Sequence, residues 1–193
     1  MSRDRNAPAF SLIYSVDFMF RLIARFLIRR AERRLNVSLD YTRVIAETDL
    51  GLLARYNKIF GFLDPNSHLP PEVYHAARLT GALAADCGSC VEAEINLART
   101  AGLSKTLIRD ILKEGMLTPE LSAVVSLSRA VTLDRQDDPE SREAIREAFG
   151  EAGLIELSFA MNGAALLPGI KRAMGHATSC NLGLMSGLDE TVP

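Results

Sequence analysis

Residues 86–94 read DCGSCVEAE and hold Cys87 and Cys90, two of only three cysteines in a chain of 193 residues. Two thiols at this spacing suit redox chemistry, provided that one of them ionises, because the thiolate rather than the thiol is the nucleophile. A helix beginning at the motif would supply part of that activation, since its first amides lack intrahelical partners and place partial positive charge beside the sulfurs. Gly88 and Ser89, between the cysteines, are small and leave the pair open to a substrate. Glu94 follows Cys90 by four residues, one helical turn on the same face. Its carboxylate alone would raise the pKa of a nearby thiol, so a useful arrangement inserts an imidazole between acid and sulfur.

The histidines are His68, His75 and His176. His75 precedes Cys87 by 12 residues, which on one continuous helix is a separation of about 18 Å. A turn near residues 84–88 changes this, because a second helix doubling back would bring His75 and Glu94 onto facing helices. The pair would then form a proton relay ending at the cysteines. Each residue also has a plainer reading: His75 as a hydrogen-bonded histidine on an apolar face, Glu94 as a solvated helix charge, and the two thiols as zinc ligands or inert buried groups. Zinc would require two further ligands, and no second C-x-x-C is present. Cys180, in a tail rich in Gly and Ser, reads as a small buried or free thiol, and neither His68 nor His176 belongs to a recognisable arrangement.

The elements that must position these groups read as helices throughout. Residues 39–63 are rich in Leu, Ile, Ala and Phe and give way to DPNSHLPP at 64–71, the clearest boundary in the chain. Pro71 suits a helix start, the following helix runs on to the cysteines, and Gly102 suits a helix end. Ser104, Thr118-Pro119 and Asp138-Pro139 each announce a further helix by a capping residue, twice with proline at the first helical position. A last long helix is expected from about Leu154 towards Met174. Nothing alternates with the period of a strand, and no repeat is visible, so the fold class is all-α.

Composition narrows the setting. The length suits one hydrophobic core, and 48% apolar with 24% charged residues is the balance of a folded globular protein. Three cysteines are too few for a disulfide scaffold, which points to a reducing, cytoplasmic setting. The net charge of −2 conceals a basic arm: residues 1–40 carry eight arginines and four acids, so the rest is acidic. The body therefore lacks the basic face that nucleic acid requires. Within the arm, residues 9–35 are strongly apolar yet place Arg21, Arg25, Arg29 and Arg33 at four-residue intervals, with Phe18, Leu22, Ile23 and Phe26 on the opposite face. The charges argue against a membrane-spanning helix, and no signal-peptide cleavage pattern is present. The apolar face calls for a cover: the body or a second subunit is the ordinary one, and a membrane surface also suits a basic stripe beside aromatics. The expected division is an amphipathic arm over residues 1–40 and a helical domain over 41–193.

The segment 71–103, with helix, C-x-x-C, helix and closing Ala-Gly-Leu-Ser, resembles the alkylhydroperoxidase D-like proteins of the carboxymuconolactone decarboxylase superfamily. The resemblance extends from about Leu50 to MNGAALLPGIKRAMG at 161–175 and leaves residues 1–40 outside it. The family pattern sets a glutamate 12 residues before the first cysteine and a histidine four after the second; here His75 and Glu94 occupy those places, the residue types exchanged. Ser89 also stands where many members carry an aromatic or a histidine. The resemblance implies an alkylhydroperoxidase D-like helical bundle, a homo-oligomer without metal or organic cofactor. It further implies a thiol peroxidase or disulfide reductase in which Cys90 attacks the peroxide, Cys87 resolves the sulfenic acid, His75 and Glu94 act as the relay, and an external dithiol regenerates the pair. The alternatives are a decarboxylase or lactone-processing enzyme like the superfamily's name-giving members, which generally lack the cysteine pair, and a non-catalytic oligomeric scaffold whose arm binds a membrane or a partner.

Overall fold

The computed structural model describes residues 7–63 and 67–179, with side chains over 18–60 and 67–179. Helices run over Ala7–Leu35 (α1), Asp40–Thr48 (α2), Leu50–Leu63 (α3), Pro71–Ala84 (α4), Gly88–Thr100 (α5), Lys105–Leu112 (α6), Pro119–Arg129 (α7) and Pro139–Ala173 (α8), and the described residues contain no strand. The chain is all-α, as its periodicity indicates.

The expected caps are in place. The hydroxyls of Ser104 and Thr118 accept from the N–H groups of Leu107 and Leu121, the Asp138 carboxylate accepts from the Ser141 N–H, and Gly102 has φ +100° after α5. Two boundaries differ from the sequence reading. The apolar run 39–63 is broken at Asp49, whose extended backbone ends α2 and whose carboxylate accepts from the N–H groups of Gly51 and Leu52 to start α3. Helix α8 begins at Pro139, bends at Gly150 (φ +72°), and resumes earlier than Leu154.

Helix α4 is the centre of the main core, packed by α5, α6, α7 and α8. Ala76, Ala77, Leu79 and Ala82 are wholly buried, so small residues let neighbouring helices approach closely. At the tightest crossing Gly81 faces the backbone of Met161 on α8, where a methyl group would strike the carbonyl oxygen. An 18-residue window of α8 has the length and mean hydropathy, 1.3, of a membrane-crossing segment; half of it is buried in the protein.

A second cluster joins the arm to the body. Ala24 and Ile28 of α1 pack with Tyr41, Ala46, Leu53 and Tyr56 of α2 and α3, against Leu167, Ile170 and Met174 at the end of α8. Arg21 donates to the carbonyls of Ala46 and Glu47 at the end of α2, and Arg25 pairs with Glu47 at 3.3 Å. The arginine stripe does not stay on one side: four residues advance the helix by about 400°, so each step drifts about 40°. Arg21 and Arg25 therefore turn to α2, while Arg29 and Arg33 are exposed on the same side as Phe18, Leu22 and Phe26 rather than opposite them.

Gly81→Ala is expected to cost about 1–3 kcal/mol through overpacking of α4 on α8. Urea unfolding of the variant beside the exposed-glycine control Gly169→Ala, which has open space around it, checks this.

Candidate functional site

Cys87 occupies the N-cap of α5, and its carbonyl accepts from the N–H groups of Cys90 and Val91. The chain arrives there through Asp86, whose φ of +46° makes the sharp reversal after α4, and the Gly88 N–H is held by the Thr178 carbonyl at 3.1 Å. Arg172 of α8 steadies the reversal from outside by donating to the carbonyls of Ala85 and Asp86. Helices α4 and α5 thus form the expected hairpin. A cavity of about 210 Å³ adjoins the reversal, lined by Asp86, Arg172, Gly175, Ala177, Thr178 and Ser179.

The two sulfurs are 2.7 Å apart, in hydrogen-bond contact, with Cys87 fully buried and Cys90 half-buried. Either sulfur can donate to the other. The Cys87 thiol is lowered to about 5, first by the hydrogen bond from Cys90 and against its burial, with help from the Cys90 amide, the Ser89 hydroxyl and the Lys171 ammonium. The Cys90 thiol is pushed up strongly by the same hydrogen bond, by burial and by the Cys87 charge. The pair thus gives up its first proton in the acid range and holds the second.

Lys171 comes to this site from the last turn of α8, buried, with its Nζ donating to Ser89 Oγ and lying 5.5 Å from the centre of the Tyr41 ring. Ser89 Oγ is in turn 3.8 Å from Cys87 Sγ. Tyr41 and Tyr56 share a 2.5 Å hydroxyl contact, stand edge to face, and have raised pKa values through burial. Neither Lys171 nor the tyrosines was singled out from the sequence. The legible signal was a lysine inside the apolar run NGAALLPGIK, where burial of a charge demands a reason.

The structure places the other two expected residues differently. Glu94 gives both carboxylate oxygens to Arg78, which donates Nε and Nη2 at 2.8 Å each and Nη1 to the Tyr74 hydroxyl at 2.9 Å. His75 is buried beside them, edge-on to Tyr74, and its Nδ1 has no hydrogen-bond partner. Its pKa is lowered by burial and by the Arg78 charge, with Glu94 opposing, so the ring is neutral near pH 7. The acid and the imidazole do sit in one neighbourhood on facing helices, but arginine has taken the carboxylate that the relay required. The fork geometry of guanidinium against carboxylate outcompetes a single imidazole bond.

No known protein family, curated protein or solved structure matches this chain. The site must be read from its own geometry. Among the described residues no group of three or more His, Cys, Asp or Glu is placed to hold a metal ion. His68 is exposed, its N–H and that of Ser67 donating to Glu156, and Cys180 lies outside the described residues.

Since Arg78 and Glu94 are both buried, removing either leaves a lone charge in the core. Glu94→Ala is expected to lower unfolding free energy by about 3–5 kcal/mol, measured by denaturant titration. A loss below about 1 kcal/mol would mean that the pair is solvated and free for other work.

Proposed function

We propose that the protein is a thiol-dependent peroxidase or disulfide reductase that works through Cys87 and Cys90, of the kind the alkylhydroperoxidase D-like resemblance implies. The observation that carries this reading is the contact between the two sulfurs at the start of α5, one buried and one half-exposed. The resting charge lies on Cys87. As Cys90 meets a hydroperoxide its proton passes to Cys87, and the Cys90 thiolate attacks the distal peroxide oxygen. The O–O bond breaks, Cys90 becomes a sulfenic acid, and the alkoxide takes the proton back from Cys87 to leave as an alcohol. Cys87, again a thiolate, attacks the Cys90 sulfur; a disulfide forms and hydroxide departs as water with a proton from solvent. An external dithiol reduces the disulfide and is itself oxidised. The differing exposure of the sulfurs suits these roles, since only the more accessible one need meet the peroxide.

One equivalent of cumene hydroperoxide is expected to convert the pair to an intramolecular disulfide, seen as the loss of two alkylatable thiols by mass spectrometry. Cys87→Ser should stop at a dimedone-trappable sulfenic acid on Cys90, and Cys90→Ser should not react. Undiminished peroxide consumption by the double variant would sink the proposal.

The arm supports a separate reading of place. With Ala24 and Ile28 turned inward, Phe18, Met19, Leu22, Ile23 and Phe26 are left exposed on the outer face of α1, and Arg29, Arg30, Arg33 and Arg34 continue that side towards the helix end. We propose that this face docks on an anionic lipid surface, where apolar side chains enter the acyl boundary and arginines meet the headgroups. The acidic balance of residues 41–193 orients the body away from such a surface. The full chain is expected to float with phosphatidylserine-containing vesicles and not with phosphatidylcholine alone, and to lose flotation on R30E/R33E/R34E. Equal flotation with both vesicles, or self-association through Phe26 without vesicle binding, would overturn it.

A further inference from the structure

A lysine buried to 7% exposure needs an anion, and among the described residues no carboxylate pairs with Lys171. Its ammonium meets a hydroxyl, Ser89 Oγ, and the face of Tyr41, and neither carries a formal charge near neutral pH. A charge buried without compensation is strongly disfavoured, so the balancing anion should lie within a contact or two. The atoms at hand are the cysteine sulfurs.

The direction of the hydrogen bonds leads to the same place. An ammonium only donates, so Ser89 accepts from Lys171 and its own proton is free to point onward. The atom it faces is Cys87 Sγ, 3.8 Å away, which also lies 2.7 Å from Cys90 Sγ. Cys87 thus stands at the end of a donor chain that runs from Lys171 through Ser89, with Cys90 Sγ in contact on its other side. A sulfur that receives a hydrogen bond relayed from an ammonium is the natural seat of the negative charge.

We infer that Lys171 is a positioning residue that supplies the counter-charge of the Cys87–Cys90 thiolate and acts on it through the Ser89 hydroxyl, in the role that the sequence spacing offers to His75 and Glu94. This rests on the thiol reading of the pair but not on peroxide being its substrate. The other ionisable and charged groups around the pair do not serve instead. Glu94, on α5 itself, is negative and is held by Arg78 of α4; His75 of α4 is buried and neutral; Tyr41 and Tyr56, from α2 and α3, keep their protons; Arg172 of α8 is engaged with the carbonyls of Ala85 and Asp86. Among the described residues Lys171 is the cation left to act. It also accounts for Ser89, where a larger side chain would separate the ammonium from the sulfur.

The test is the pH dependence of pair ionisation, followed by ultraviolet thiolate absorbance and by the rate of iodoacetamide modification in the full chain. The native pair is expected to hold its thiolate down to mildly acid pH. Lys171→Met, which keeps bulk and apolar fit, should move the titration towards the free-thiol range and cut the alkylation rate at pH 6 by about tenfold or more, one pH unit being a factor of ten. Ser89→Ala should shift it in the same direction by less, and Lys171→Arg should restore part of the native profile. Ser89→Ala removes only a hydroxyl and keeps the test open if Lys171→Met does not fold. An unchanged titration in the folded variants would overturn the role of Lys171 while leaving the redox pair intact. A pair that ionises early and responds to Lys171→Met, yet ignores hydroperoxide, would instead overturn the peroxidase reading and leave Lys171 in place.

Discussion

The ion pair between Arg78 and Glu94 is the contact on which the arrangement of the site depends. Both groups have left water, and each is tolerable there only because the other is present in a two-point fork. One partner is on α4 and the other on α5, so the pair sets the register of the hairpin as well as its closeness. Tyr74 takes a further guanidinium proton and ties the network back to α4. With the register held, α5 can begin only where Asp86 turns the chain, and Cys87 falls at the N-cap. The same pair removes Glu94 from proton chemistry. Structural use and relay use of one carboxylate are in competition, and burial decides in favour of structure, since an arginine without its acid would be far more costly than a neutral histidine without a hydrogen bond.

The site also lies where two apolar clusters meet. The first, around α4, includes Val91 and Ile95 of α5; the second includes Tyr41 and Tyr56 and leans on the last turns of α8. Helix α8 belongs to both and carries Lys171 at their junction. A junction of this kind collects the polar ends of side chains whose apolar parts serve either core: tyrosine hydroxyls, a lysine amine, a serine hydroxyl and two sulfurs. Low local dielectric strengthens each interaction among them. The lowered pKa of Cys87 owes most to Cys90, its partner in the C-x-x-C, and is helped by the Ser89 hydroxyl and by Lys171, which the junction brings in, while burial opposes it.

Much of the fold was legible from local signals. Ser104, Thr118 and Asp138 cap helices because their side chains satisfy amides only three residues away, and Gly102 ends α5 because its own backbone permits positive φ. Those are short-range interactions, and a linear sequence states them directly. The break at Asp49 was of the same kind but lay hidden in a run of helix formers, where the apolar pattern spoke louder than one capping carboxylate. The cysteine pair and the hairpin that carries it were also legible, since both depend on spacing.

The sequence by itself therefore determined that this chain is helical, where most helices begin and end, and that Cys87 and Cys90 would sit together at a turn. Only the tertiary structure decided their company. Arg78 meets Glu94 across two helices, and Lys171 reaches Ser89 across a separation of 82 residues. Pairings of that range are governed by which helix faces pack and at what register. Gly81 lets α8 approach α4, and α8 then carries Lys171 to the thiols, a consequence that no window of local sequence contains.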